Sequence, residues 1–124
     1  MVNSLSFLGQ KVNVVIDRPL GSKHPQHGFI YEVNYGYIPN TKSPDGEEQD
    51  LYVLGIDKPS DKIIGVCIAV IHRTNDNDDK LVVTSDGKDF SDEEISKAWP
   101  TSLVEKLVEF QEKYFKHVIL RKFL

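Results

Sequence analysis

Hydrophobic and polar positions alternate in short bursts over the first two thirds of the chain, and then the period changes. Residues 11–17, KVNVVID, are rich in β-branched side chains and end in a charge before Arg18 and Pro19, which predicts a first strand closed by the proline. Residues 18–28 carry two prolines, two glycines and two histidines without periodicity, which predicts a loop. Residues 29–38 are aromatic and β-branched up to Pro39 and predict a second extended segment, bent at Gly36. A polar turn over 41–48, with Pro44 and Gly46, leads into DLYVLG at 50–55, a third strand. Residues 62–72 form the most apolar stretch, too β-branched for a helix of that length, and predict a central strand. A polar hairpin loop at 75–79 then leads to a fifth strand at 80–84. Five short strands in the first 85 residues predict a small barrel.

After the fifth strand the pattern turns helical. Ser91 with Glu94 and Ser102 with Glu105 match the S-x-x-E capping box, in which each side chain satisfies an orphan amide of the other at a helix start. Leu103, Leu107, Phe110, Tyr114 and Val118 then recur at spacings of 4, 3, 4 and 4, one apolar helix face. The expected class is mainly β, or α+β: a five-stranded barrel with C-terminal helices, in one domain spanning residues 1–124.

Composition narrows the partners. With 40% hydrophobic residues the chain can bury a core, and no apolar run approaches the roughly 20 residues of a membrane-spanning helix. The N-terminal segment shows neither a secretion signal nor transit-peptide character, so a cytoplasmic protein is expected. Cys67 is the single cysteine and sits among Val66, Ile68 and Val70, where a buried apolar thiol is expected in place of a disulfide or a zinc ligand. Fifteen basic residues against 19 acidic ones give a net charge of −4, which argues against nucleic acid as a partner. The acids are clustered: seven of the 19 lie in two short stretches, Asp45, Glu47, Glu48 and Asp50, then Asp76, Asp78 and Asp79.

Four carboxylates within six residues repel one another unless they are solvated or share a cation. A hydrophilic turn is the plain reading. Asp50 favours the other, because it opens an apolar strand where an unpaired carboxylate is desolvated for no structural gain. Gly46 permits a turn tight enough for Asp45 and Asp50 to converge, and hard oxygen donors select Mg2+ or Mn2+. The second cluster does not fit an EF-hand, since Leu81 and Gly87 stand where that loop needs Gly and Glu; alone it reads as a solvated hairpin loop. Together, two acidic turns at the ends of neighbouring strands are expected to face each other across the barrel mouth.

The segment Tyr31-Glu-Val-Asn-Tyr35-Gly-Tyr37-Ile-Pro, then Asp45-Gly-Glu47-Glu-Gln-Asp50, then Asp78-Asp-Lys80, resembles the family I soluble inorganic pyrophosphatases over about residues 12–83, and more loosely in the C-terminal helix. The resemblance implies an OB-like five-stranded barrel flanked by helices, homo-oligomers, and hydrolysis of pyrophosphate to two phosphates by a water activated by several Mg2+ ions. It implies Asp45, Asp50 and Asp78 as primary metal ligands, Asp76 as a further one, and Asp17 near an outer metal. Glu47 takes the place of the aspartate that helps deprotonate the attacking water. Tyr31 and Tyr35 match tyrosines lining the site, Lys80 a phosphate-binding lysine, and Tyr114 a tyrosine that contacts the leaving phosphate.

The departures are specific. Glu47 and Glu48 replace Asp and Pro of the family's D-x-D-P-x-D, and Phe115 replaces a basic residue. The family's basic hairpin between the first strand and the NYGYI segment is missing, leaving Arg18, Lys23 and Arg73 as candidate phosphate-binding cations and His24 and His27 as loop imidazoles that could face a metal or a phosphate. Two alternatives stay open: a hydrolase of another, larger phosphoanhydride, and a non-catalytic barrel that binds phosphate or metal.

Overall fold

Alternation puts Val12, Val14 and Ile16 on the buried side of β1 (Lys11–Arg18) and Lys11, Asn13 and Asp17 on the exposed side. In the computed structural model, which describes residues 3–25, 28, 30–42, 46–73, 79–96 and 117–120, four further strands continue this pattern. They are β2 (Asn34–Ile38), β3 (Gln49–Leu54), β4 (Lys62–Arg73) and β5 (Lys80–Thr84). The sheet runs β1-β2-β3-β5-β4, and β4 pairs back onto β1 to close the OB-like barrel. Only β3 and β5 run parallel among these neighbours. A short α1 (Asp92–Ser96) and a strand β6 (His117–Leu120), paired with β4, follow.

Two apolar clusters show what each side of the barrel wall packs against. The interior draws on every barrel strand: Val12, Val14, Ile16, Ile38, Leu51, Val53, Cys67, Val70, Leu81 and Val83, with Phe7 of the 3-10 turn Ser4–Phe7 and the next residue, Leu8, packed against it. The alternate residues Tyr52, Leu54, Ala69, Ile71 and Val82 face outward onto Ile95 of α1, with Tyr35 and Phe90 at the margin. This second layer explains why β3 is buried on both sides, since each covered aliphatic side chain contributes about 1.5–3 kcal/mol.

Gly36 lies where β2 crosses β1. A Cβ there would run into the backbone of Val15 and come within 2.9 Å of Ile16 Cα, so only glycine permits the approach. Two residues earlier, Asn34 is completely buried and both ends of its amide are hydrogen-bonded. Its Oδ1 accepts the Leu20 and Ser60 amides at 2.9 and 3.3 Å and its Nδ2 donates to the Lys58 carbonyl at 3.0 Å, tying two loops to β2.

The five expected strands are present, with differences at three places. Over residues 29–38 the strand is confined to Asn34–Ile38. The loop expected over 18–28 folds back as a short hairpin, in which Gly21 donates to the Tyr31 carbonyl at 2.8 Å, Tyr31 to the Ser22 carbonyl at 2.9 Å, and Lys23 bridges Ile30. Gly21 and Gly28, both at positive φ, allow the bends. The first capping box forms as expected: Ser91 N–H donates to Glu94 Oε1 at 3.0 Å and Glu94 N–H to Ser91 Oγ at 3.1 Å. The second box and most of the expected helix face lie outside the described residues. Val118 and His117, expected on that helix, belong to β6, where the β-branched run HVIL adds to the free side of β4; sheet pairing overrides the 3.6-residue spacing.

Candidate active site

Register places the polar side chains. Leu51 of β3 is opposite Leu81 of β5, and both point inward. One residue earlier on each strand, Asp50 and Lys80 therefore point outward together. Lys80 Nζ donates to Asp50 Oδ2 at 2.9 Å and to Tyr35 Oη at 3.0 Å, and its charge lies 5.6 Å from the Tyr35 ring centroid. Tyr35 reaches this point because β2 pairs it with Tyr52, again on the outward side. The described part of the site thus lies on the outer side of the barrel wall, where β2, β3 and β5 meet, while Asp45, Asp76 and Asp78 of the two acidic turns lie outside the described residues.

Aromatic rings line up away from the ion pair. Tyr35 meets Tyr52 edge-on at 5.1 Å and stacks on Tyr31 at 5.4 Å, and Tyr31 stacks on His24 at 6.2 Å. Burial, reinforced by the Asp50 carboxylate, pushes the Tyr35 phenol well above its ordinary pKa, so it stays protonated and donates to Asp50 while accepting from Lys80. Burial also raises the Tyr31 phenol, against a hydrogen bond and a favourable charge from Arg18. Arg18 ends β1 opposite Tyr35, which brings the guanidinium to the same face.

Asp17 is exposed at the end of β1, yet partial desolvation raises its carboxyl above the ordinary value. Its own backbone and Arg18 oppose the shift, and Asp50 and Glu48 add to it by repulsion. Asp17 thus has two further carboxylates near it on this face. Among the described residues no three His, Cys, Asp or Glu side chains are close enough to hold a metal by themselves.

Of the residues expected from sequence, Asp17, Arg18, Tyr31, Tyr35, Asp50 and Lys80 share one face. Glu47 is exposed on the turn before β3, and Lys23 is exposed on the short hairpin. Arg73 ends β4. Asp45, Asp76, Asp78, Tyr114 and His27 lie outside the described residues. Sequence reasoning did not single out Gln49, Asn34 or Ser4, or the partner of His72, which is Asp79 at 2.6 Å. Strand parity carried a signal for Gln49: counting back from Leu51 and Val53 puts this polar residue on the inward side.

Fold and site together define an OB-like barrel with a charged face, on which Asp17, Asp50, Lys80 and Arg18 come together. A family model described as inorganic pyrophosphatase matches residues 11–121, and the chain belongs to the inorganic pyrophosphatase family, the divalent-metal-dependent hydrolases of pyrophosphate. Solved structures share the fold at low identity. The inorganic pyrophosphatase of Ehrlichia chaffeensis is 20% identical with a TM-score of 0.54, over 86% of this chain and 82% of that one. That of Neisseria gonorrhoeae is 23% identical with a TM-score of 0.54, over 86% and 74%. That of Thermus thermophilus is 17% identical with a TM-score of 0.50, over 97% and 86%. No curated protein matches the chain.

Proposed function

We propose that this chain hydrolyses inorganic pyrophosphate to two phosphates on the outer wall of the barrel, with Mg2+, or Mn2+ in its place, held by Asp50 and Asp17 together with Asp45, Asp76 and Asp78. The observation that carries the reading is the Asp50–Lys80–Tyr35 contact set at family-matched positions. The donors present fit the ion: Asp17 is destabilised as a carboxylate first by desolvation and to a lesser degree by Asp50 and Glu48, and a divalent cation relieves that repulsion. When bound, such ions neutralise phosphate charge and make a water nucleophilic at neutral pH.

The chain's own groups do the rest. Lys80, held by Asp50 and Tyr35, brings its positive charge to a phosphoryl oxygen, and the partly buried setting strengthens that contact relative to water. Tyr35 keeps its proton and so remains a donor. Arg18, braced by Tyr31, offers a planar fork to a second phosphoryl oxygen. Glu47 takes the proton of the attacking water, and Tyr114, Lys23 and Arg73 complete the phosphate contacts. The proposal includes a cytoplasmic setting and self-association, the latter checked by light scattering.

The test is a substrate panel. Phosphate release from pyrophosphate, tripolyphosphate and ATP is measured with Mg2+ or Mn2+, pyrophosphate being turned over fastest. Preference for a longer phosphoanhydride moves the substrate assignment, and binding without release by calorimetry turns the enzyme reading into a binding module.

A further inference from the structure

Gln49 is 1% exposed on the inward side of β3, where an apolar residue would pack without any polar cost. Both donor positions of its amide nitrogen are engaged. Nε2 donates to the Asp50 carbonyl at 3.1 Å and to the Asp79 carbonyl at 2.8 Å, while the Gln49 N–H donates to Thr41 Oγ1 at 3.0 Å. One amide group thus grips the main chain of Asp50 and of the residue before Lys80. The parallel β3–β5 register runs from the Leu51–Leu81 pair onward, so Gln49 supplies a bridge between the strands just before it.

The Asp79 end is held as well. Its carboxylate accepts Ser4 Oγ from the 3-10 turn and bonds His72 Nδ1 of β4 at 2.6 Å. Main chain and side chain of Asp79 are therefore fixed from three separate elements immediately before Lys80. The β3–β5 ladder and its buried faces fix the register from the Leu51–Leu81 pair onward, and the Gln49 bridge extends that hold to the strand starts that carry Asp50 and Lys80.

We infer that Gln49, with the Ser4–Asp79–His72 anchor, is a positioning device that holds Asp50 and Lys80 in register for phosphoryl contact; the inference rests on the hydrolytic reading above. Its consequence is a loss in turnover when the bridge is cut, because a shift of about 1 Å at catalytic groups costs up to about 100-fold.

Gln49→Met keeps the volume and removes both side-chain bonds, and Val53→Ala in the same strand serves as the stability control. Gln49→Met is expected to lower kcat about 10-fold with KM changed less than about threefold, whereas Val53→Ala keeps kcat near wild type despite its lost packing. Gln49→Met retaining kcat within about twofold, or losing no more than Val53→Ala, overturns the inference. If Gln49→Met does not fold, His72→Ala decides, since that side chain is 38% exposed: a fall in kcat of about threefold supports the device and an unchanged kcat overturns it. Should wild type release no phosphate, the hydrolytic reading falls, and a crystal structure of Gln49→Met or His72→Ala decides the rest. A parted Asp50–Lys80 pair supports the positioning role, and an intact pair overturns it.

Discussion

Replacing Lys80 by methionine removes the cation from a pair whose side chains are 12% and 28% exposed. A fully exposed pair contributes about 0–1 kcal/mol, and breaking a fully buried one costs about 3–5 kcal/mol. Asp50–Lys80 lies between these limits, so Lys80→Met should cost about 2 kcal/mol, mainly by leaving the Asp50 carboxylate partly buried without its cation, supported by the Tyr35 hydroxyl. Asp50→Asn in the Lys80→Met background removes the stranded charge while still accepting from Tyr35, and should recover about 1 kcal/mol. Urea unfolding in EDTA measures all four corners of the cycle; with a slope near about 2 kcal/mol per molar, Lys80→Met lowers the midpoint by about 1 M. Lys80→Met within about 0.5 kcal/mol of wild type, or strict additivity in the double variant, would refute the view of this pair as a partly buried coupled unit.

Other outcomes follow from particular contacts. Gly36→Ala forces a Cβ against the backbone of β1 and should cost about 3 kcal/mol in urea unfolding; a loss below about 1 kcal/mol means that the strands part freely there. Asn34→Ala orphans the amides of Leu20 and Ser60 and should cost about 2–3 kcal/mol by the same assay. Burial pushes the Cys67 thiol up to about 12, so the folded chain keeps this proton where the unfolded chain loses it. Its contribution to stability is complete below the unfolded value near about 8.5 and is lost above it at up to about 1.4 kcal/mol per pH unit. The stability gap between wild type and Cys67→Ala should therefore narrow from pH 9 upward, and a constant gap contradicts the buried thiol.

Strand positions were legible because period-2 alternation and proline punctuation are local signals. Val12, Val14 and Ile16 declare the inward side of β1, and the Ser91–Glu94 box declares a helix start. β6 was not legible, since HVIL carries no local sign that β4 has a free side to receive it. The Tyr35–Asp50–Lys80 contact set was legible as a set of residue types, since the motif singles out all three. Its location on the outer wall was not, because that depends on the Leu51–Leu81 register, a pairing between segments about 30 residues apart. Gln49 and the Ser4–Asp79–His72 anchor were missed for the same reason. Asp79 and Ser4 are 75 residues apart in the chain, and nothing near Ser4 marks it as a partner.

The central claim is that Asp50, on the face shared with Lys80 and Tyr35, serves metal-dependent hydrolysis of pyrophosphate. Phosphate release from pyrophosphate by wild type and Asp50→Asn, each with Mg2+ and with EDTA, tests it most directly. Release by wild type that needs the divalent ion and falls at least about 100-fold in Asp50→Asn is the predicted result. Release that is indifferent to EDTA, or undiminished in Asp50→Asn, would contradict it.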